Sequence, residues 1–152
     1  MTRKPGFWVA LAILVVSVLS ACGSGSGGEA AGVPTDAALK ITGAVSNEVG
    51  WSEDALKAMN TVNAEYTNKD GETNVFAGVP VNTLLEQAGV DSGATALVFV
   101  ADDGFESEVA LDEVQSCADC IVAPGDEGGF SMVMPGFSSR AQVKGVVEIK
   151  VQ

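Results

Sequence analysis

Between Tyr66 and Val90 the sequence reads YTNKDGETNVFAGVPVNTLLEQAGV, and few stretches constrain a chain more tightly. Asp70-Gly71 between two β-prone runs, 62–69 and 72–77, predicts a tight hairpin turn. Pro80 opens a helix, because its fixed φ suits a first turn, and Gly89 closes it. Within that helix Val81, Leu84, Leu85 and Ala88 fall at i, i+3, i+4 and i+7, a single stripe for burial. A hairpin delivering its second strand straight into a helix needs other strands to cover both.

Those strands are legible on either side. Residues 39–45 (LKITGAV) alternate like a half-buried strand. Ser52 can cap a short helix, Glu53 and Asp54 suit its positive end, and Trp51 can staple onto Leu56. The apolar run 96–101 (ALVFVA) reads as a central strand, Asp102-Asp103-Gly104 as a turn, and 106–111 as a returning, more polar strand. Residues 111–116 make at most a short helix, and 121–123, 130–134 and 143–151 complete the strands. Met132 and Met134 share one strand face, a core position. Strands outnumber helices in mixed order, which predicts an α+β domain with layered mixed β-sheets and short helices.

The N-terminus assigns a compartment. Arg3 and Lys4 precede the apolar run 7–19, which is shorter than the ~20 residues of a spanning helix. Basic head, short apolar core and small residues before a break form an export signal. Leu19-Ser20-Ala21-Cys22 resembles the bacterial lipobox, whose cysteine is lipidated and becomes the first residue of the mature chain. The expected organisation is a lipoprotein signal peptide over 1–21, lipidated Cys22 with a Gly/Ser-rich tether over 22–38, and one domain over 39–152. The protein is expected to sit outside the cytoplasm, held to the membrane by the lipid on Cys22.

Charge and composition exclude whole classes of function. The chain has 20 acidic and 8 basic residues, and loss of Arg3 and Lys4 with the signal takes its net charge from −12 to −14. Such a surface repels nucleic acid and anionic headgroups. There is no histidine, which removes Ser-His-Asp and Cys-His catalysis and most zinc chemistry.

Five motifs in order carry a family resemblance: Ile41-Thr42-Gly43-Ala44-Val45; Phe76-Ala77-Gly78-Val79-Pro80-Val81 leading to Leu84-Leu85 and Ala88-Gly89; Ala101-Asp102-Asp103-Gly104-Phe105; Val133-Met134-Pro135-Gly136; and Val143-Lys144-Gly145-Val146-Val147-Glu148-Ile149. Their succession resembles the molybdopterin-binding domain of the sulfite oxidase family, especially its short stand-alone versions. The resemblance implies a molybdenum held by a dithiolene cofactor and by one cysteine thiolate lying between the first helix and the Gly-Val-Pro motif. Here that stretch, 61–74 (TVNAEYTNKDGETN), has no cysteine, and the Gly-Asn-Arg segment that follows the ligand in those enzymes is also missing. A soft metal without its thiolate loses the ligand that most tunes it, which argues against oxidoreductase activity. The family also grips a cofactor phosphate with cations, and this domain offers only Arg140 and the matching Lys144 near that place. The resemblance brings the hairpin 62–77, the 102–104 turn and the 135–144 loop to one cleft. Tyr66 and Phe105 would stack there on a planar ring, and Arg140 and Lys144 would meet an anionic group.

Cys117-Ala118-Asp119-Cys120 is the other stretch with chemistry in it. Ile121 stands where haem attachment needs a histidine, and only carboxylates are near for zinc. Asp112, Glu113 and Asp119 disfavour a thiolate, so a structural disulfide is expected ahead of a redox pair. The acidic residues Asp102, Asp103, Glu106 and Glu108, with Asp126 and Glu127, read as solvated turns; calcium is the alternative, without EF-hand spacing. The leading functional expectation is therefore a non-catalytic small-ligand-binding or interaction module on the molybdopterin-domain fold. A molybdopterin-dependent oxidoreductase subunit and a thiol-disulfide protein are the alternatives.

Overall fold

The structure, a computed structural model, describes residues 33–152. The signal 1–21, Cys22 and the first part of the tether lie outside the described residues. Residues 33–38 of the expected tether lie against the domain, where Ala38 N donates to Trp51 O at 2.7 Å.

Among the described residues nine strands form two sheets, with three short helices beside them. In chain order these are β1 (Leu39–Gly43), β2 (Val49–Trp51), α1 (Glu53–Lys57), β3 (Val62–Thr67), β4 (Thr73–Pro80) and α2 (Val81–Ala88). There follow β5 (Ala96–Ala101), β6 (Glu106–Ala110), α3 (Leu111–Gln115), β7 (Ile121–Pro124), β8 (Phe130–Val133) and β9 (Val146–Val151). One sheet has the order β2-β1-β9-β5-β6, mixed because β1 and β9 are parallel while the other pairs are antiparallel. The other, β3-β4-β7-β8, is antiparallel throughout. The α+β class with mixed, layered sheets is the one the element order predicts.

The core lies where alternate residues of the strands meet the helical stripe. Leu39 and Ile41 of β1, Leu97 and Phe99 of β5, and Ile149 and Val151 of β9 pack with Val81, Leu84, Leu85 and Ala88 of α2. The four α2 residues are the stripe read from the sequence, and burying each of its valine and leucine side chains contributes roughly 1.5–3 kcal/mol. Pro80 precedes the helix as its cap and is still paired with Ile121 of β7, while Gly89 ends it at φ +68°. Ser52 caps α1 through a bond from Ala55 N to its Oγ at 3.3 Å, and Trp51 and Leu56 are both in the core. Met132 and Met134 are core residues as expected.

The hairpin departs from its sequence reading. Its pairs run from Val62↔Gly78 to Thr67↔Thr73, Asn68 and Glu72 continue the ladder at 2.9 Å, and the turn itself is Lys69-Asp70-Gly71. Three residues, with Gly71 at φ +83°, replace the expected two-residue turn. Asn68 causes this: its Oδ1 accepts from both Asp70 N and Glu72 N at 3.0 Å, an arrangement its short polar side chain favours. The change of one residue decides which faces Tyr66 and Phe76 occupy.

On the outer face of the mixed sheet Lys40 pairs with Glu148 at 3.3 Å and Lys150 with Glu106 at 2.8 Å. The hydrogen bond that Lys150 Nζ donates to Glu106 raises the pKa of the ammonium above its usual value. Both pairs are solvent-facing and contribute little to stability.

Candidate functional site

Of the chain's passages between the two sheets, the one from β8 to β9 carries no α-helix and runs as an extended crossing. After β8 the chain loops out through residues 134–142 and returns along the β8 edge, where Met132 N donates to Val143 O at 2.7 Å and Ser131 pairs with Lys144. It then passes to the mixed sheet, where Asp102 N donates to Gly145 O at 2.9 Å, and enters β9. Lys144 is thus fixed between an anchor on the antiparallel sheet and one on the β5–β6 turn. The out-and-back loop is closed by a single side chain. Gln142 Nε2 donates to Met134 O at 2.6 Å, and its Oε1 accepts from Met134 N at 2.9 Å, so one amide satisfies two backbone groups.

A cleft of about 740 Å³ opens at this junction, within the range of small-molecule sites. Its walls come from the hairpin (Tyr66, Phe76), the β5–β6 turn (Asp102, Asp103), the β7–β8 loop (Asp126, Glu127) and the crossing (Gln142, Lys144). Under the hairpin lies a small apolar cluster of Ala64, Ile121, Ala123 and Val133, on which the half-buried Tyr66 and Phe76 rings pack and of which Ala123 and Val133 reach the cleft wall. The register places Phe76 opposite Ala64 and Tyr66 opposite Asn74, so the two rings are diagonal neighbours on one face.

Of the four side chains expected at this cleft, the structure brings two together and leaves two outside. Tyr66 and Lys144 line it; Phe105 and Arg140 do not. Phe105 serves its turn through its backbone, donating to Asp103 Oδ1 at 2.9 Å and accepting from Ala101 N, and its ring is 43% exposed. Arg140 belongs to the 3-10 turn Ser139–Ala141. That turn buries Ala141, and the side chain before it, a third of a turn round, is exposed. Sequence reading missed Phe76 as a wall residue, and it named Asp126 and Glu127 of the β7–β8 loop only as solvated turn residues with calcium as the alternative, without placing them at the cleft. The signal for the ring was the Asn-Lys-Asp-Gly turn, which sets the register.

The charges at the cleft differ from expectation in sign. Asp102, Asp103, Asp126 and Glu127 face one ammonium, Lys144, and all five are exposed. A cation pair awaiting an anion is not assembled here. Nor is a calcium site: among the described residues no three acidic, cysteine or histidine side chains gather to hold a metal, and Glu106 is engaged by Lys150.

Cys117 and Cys120 form a disulfide with Cα atoms 5.5 Å apart, away from the cleft lining. The bridge follows the C-terminal end of α3 and backs onto the start of α2, where Val81 N donates to Cys120 O at 2.9 Å and Asn82 Nδ2 to Cys117 O at 3.3 Å. Cys120 is fully buried, and a helix C-terminus does not stabilise a thiolate, so the position suits a structural bridge. Closing so small a ring stabilises by only about 2 kcal/mol. The Cys117→Ala/Cys120→Ala variant should therefore stay folded, with denaturant titration showing a loss of that size. A variant that cannot fold would show the bridge to be essential to the architecture.

A second concavity of about 400 Å³ lies by α2, lined by Asn82, Leu85, Glu86, Val90 and Gln115, without an aromatic wall. No family model and no curated protein matches the chain. The structure is similar to the crystal structure of the sulfane dehydrogenase SoxCD from Paracoccus pantotrophus, with a TM-score of 0.62 at 17% identity. The likeness covers 74% of this chain and 37% of that one, so this chain spans well under half of its neighbour's length. What the two share is the fold: an α+β domain of layered mixed sheets, here carrying an acidic, aromatic-walled cleft at the junction of its sheets.

Proposed function

We propose that this chain is a non-catalytic small-ligand-binding or interaction module, carried outside the cytoplasm on a lipid attached to Cys22. The observation that carries the reading is the lining of the cleft. Molybdopterin is the cofactor that the sequence resemblance implies, and the residues present do not fit it. The lining offers no thiolate for a soft metal, since both cysteines of the described residues are joined to each other elsewhere. It also sets four carboxylates against one ammonium where a phosphate-bearing cofactor needs donors and positive charge. A concave site with an apolar wall and polar rim still has the form that small ligands use.

Elemental analysis of natively purified protein, with fluorescence of its oxidised extract, tests this directly. Molybdenum and pterin should be far below stoichiometric. One molybdenum per chain, with turnover of an oxyanion or a sulfoxide, would restore the oxidoreductase reading.

A further inference from the structure

We infer that the cleft takes a small organic cation, an ammonium or protonated nitrogen heterocycle with an aromatic or apolar body; the inference rests on reading the cleft as a ligand site. The cavity and its aromatic wall come first. About 740 Å³ is far more room than a bare ion fills, and no three metal-ligating side chains gather among the described residues. The occupant is therefore molecular. Tyr66 and Phe76 are held half-buried on one face by the hairpin register and by the apolar cluster beneath them. Aromatic faces attract cations within about 6 Å, and they also cover the apolar body that such a cation carries.

The rim then decides the sign of the charge. Asp102 and Asp103 come from one turn and Asp126 and Glu127 from another, so the carboxylates flank the opening from two elements. Lys144 is the single cation of the lining. The salt bridges among the described residues join Lys40, Lys57 and Lys150 to Glu148, Glu53 and Glu106, and none of them neutralises a rim carboxylate. Lys69 and Arg140 lie outside the lining. Residues 22–32 contain no lysine or arginine, so the rest of the mature chain has no further side-chain cation to bring. Carboxylates of one sign around a low-dielectric concavity focus the field and enrich cations at its mouth. An anion entering there meets net repulsion.

Calorimetric titration of the mature full-length protein with phenyltrimethylammonium, benzyl alcohol and phenylphosphonate separates charge from shape. The ammonium should bind saturably, roughly tenfold tighter than the neutral alcohol and more weakly as salt is added, while the phosphonate should not bind. Asp126→Asn/Glu127→Gln, on an exposed loop where folding is not at risk, should weaken the ammonium roughly threefold to fivefold. Tyr66→Ala should weaken it by a similar factor through lost ring contact. Lys144→Gln should strengthen it roughly twofold, a change of opposite sign that general damage to the cleft would not produce. Phenylphosphonate binding that disappears in Lys144→Gln would overturn the cation assignment and leave a ligand site standing. Failure of all three probes to bind would overturn the inference itself. Stoichiometric molybdenum in the native protein would instead remove the reading on which it rests.

Discussion

Replacing Cys22 with serine should move the protein out of the membrane fraction, the largest single change expected of any substitution here. Leu19-Ser20-Ala21-Cys22 resembles a lipobox, and acyl chains on Cys22 would supply the hold on the membrane. Each buried methylene contributes about 0.8 kcal/mol; one chain holds only marginally, whereas two or three on the same residue hold stably. The chain carries 20 acidic and 8 basic residues, and such a surface is repelled by anionic headgroups. Among the described residues no helix is long and apolar enough to cross a bilayer. Fractionation with and without a carbonate wash, together with mass spectrometry of the N-terminus, reads the outcome. If Cys22→Ser stays fully membrane-bound with residues 1–21 still attached, the segment 7–19 acts as a membrane anchor and the lipoprotein reading fails.

How far the cleft could be read from the sequence turns on one residue of register. A two-residue turn at Asp70-Gly71 would put Tyr66 opposite Val75 and send Phe76 to the other face. The three-residue turn puts Phe76 opposite Ala64, on the face of Tyr66, and leaves Val75 61% exposed. Because side chains alternate strictly along a strand, a slip of one exchanges every inward residue for its neighbour. The deciding information is local, in the Asn68 amide that bonds two turn amides. The α2 stripe was legible for the same reason in reverse: its period, its opening Pro80 and its closing Gly89 all agree.

What composition could not supply is contact between distant segments. The β7–β8 loop reaches the cleft because β4 pairs with β7 through Val79↔Val122 and Pro80↔Ile121, far apart in sequence. Nothing in GDEGG by itself says which turn it will face. Likewise Arg140 and Lys144 are close in sequence and part company because a 3-10 turn rotates one outward while a bridge to Ser131 pins the other. The motif succession indicated which segments would meet, and the side chains they present at the meeting point depended on those two local geometries.

Gly43→Ala should be the most damaging conservative change in the domain, and comparison with Gly71→Ala isolates the reason. Both glycines have positive φ, +95° and +83°, which L-residues adopt at a cost of about 1–3 kcal/mol. Around Gly71 an added methyl meets nothing within 4 Å, so that strain is the whole penalty. At Gly43 the methyl would stand 2.2 Å from Val151 O, the acceptor that holds Ala44 N at 2.9 Å beside the parallel β1–β9 pair. Backbone on both sides cannot swing away as a side chain can. Either β1 and β9 separate or the bond is lost, and overpacking of this kind adds a further 1–3 kcal/mol or more. The expected losses are about 4 kcal/mol for Gly43→Ala and about 1 kcal/mol for Gly71→Ala. Melting temperatures should fall by roughly 15 °C and 4 °C respectively. The larger loss should also reach the cleft, because β9 begins at Val146, directly after Lys144 and Gly145. Equal drops in the two variants would mean that the close approach to Val151 contributes nothing, and that the β1–β9 junction tolerates a side chain where its geometry says it should not.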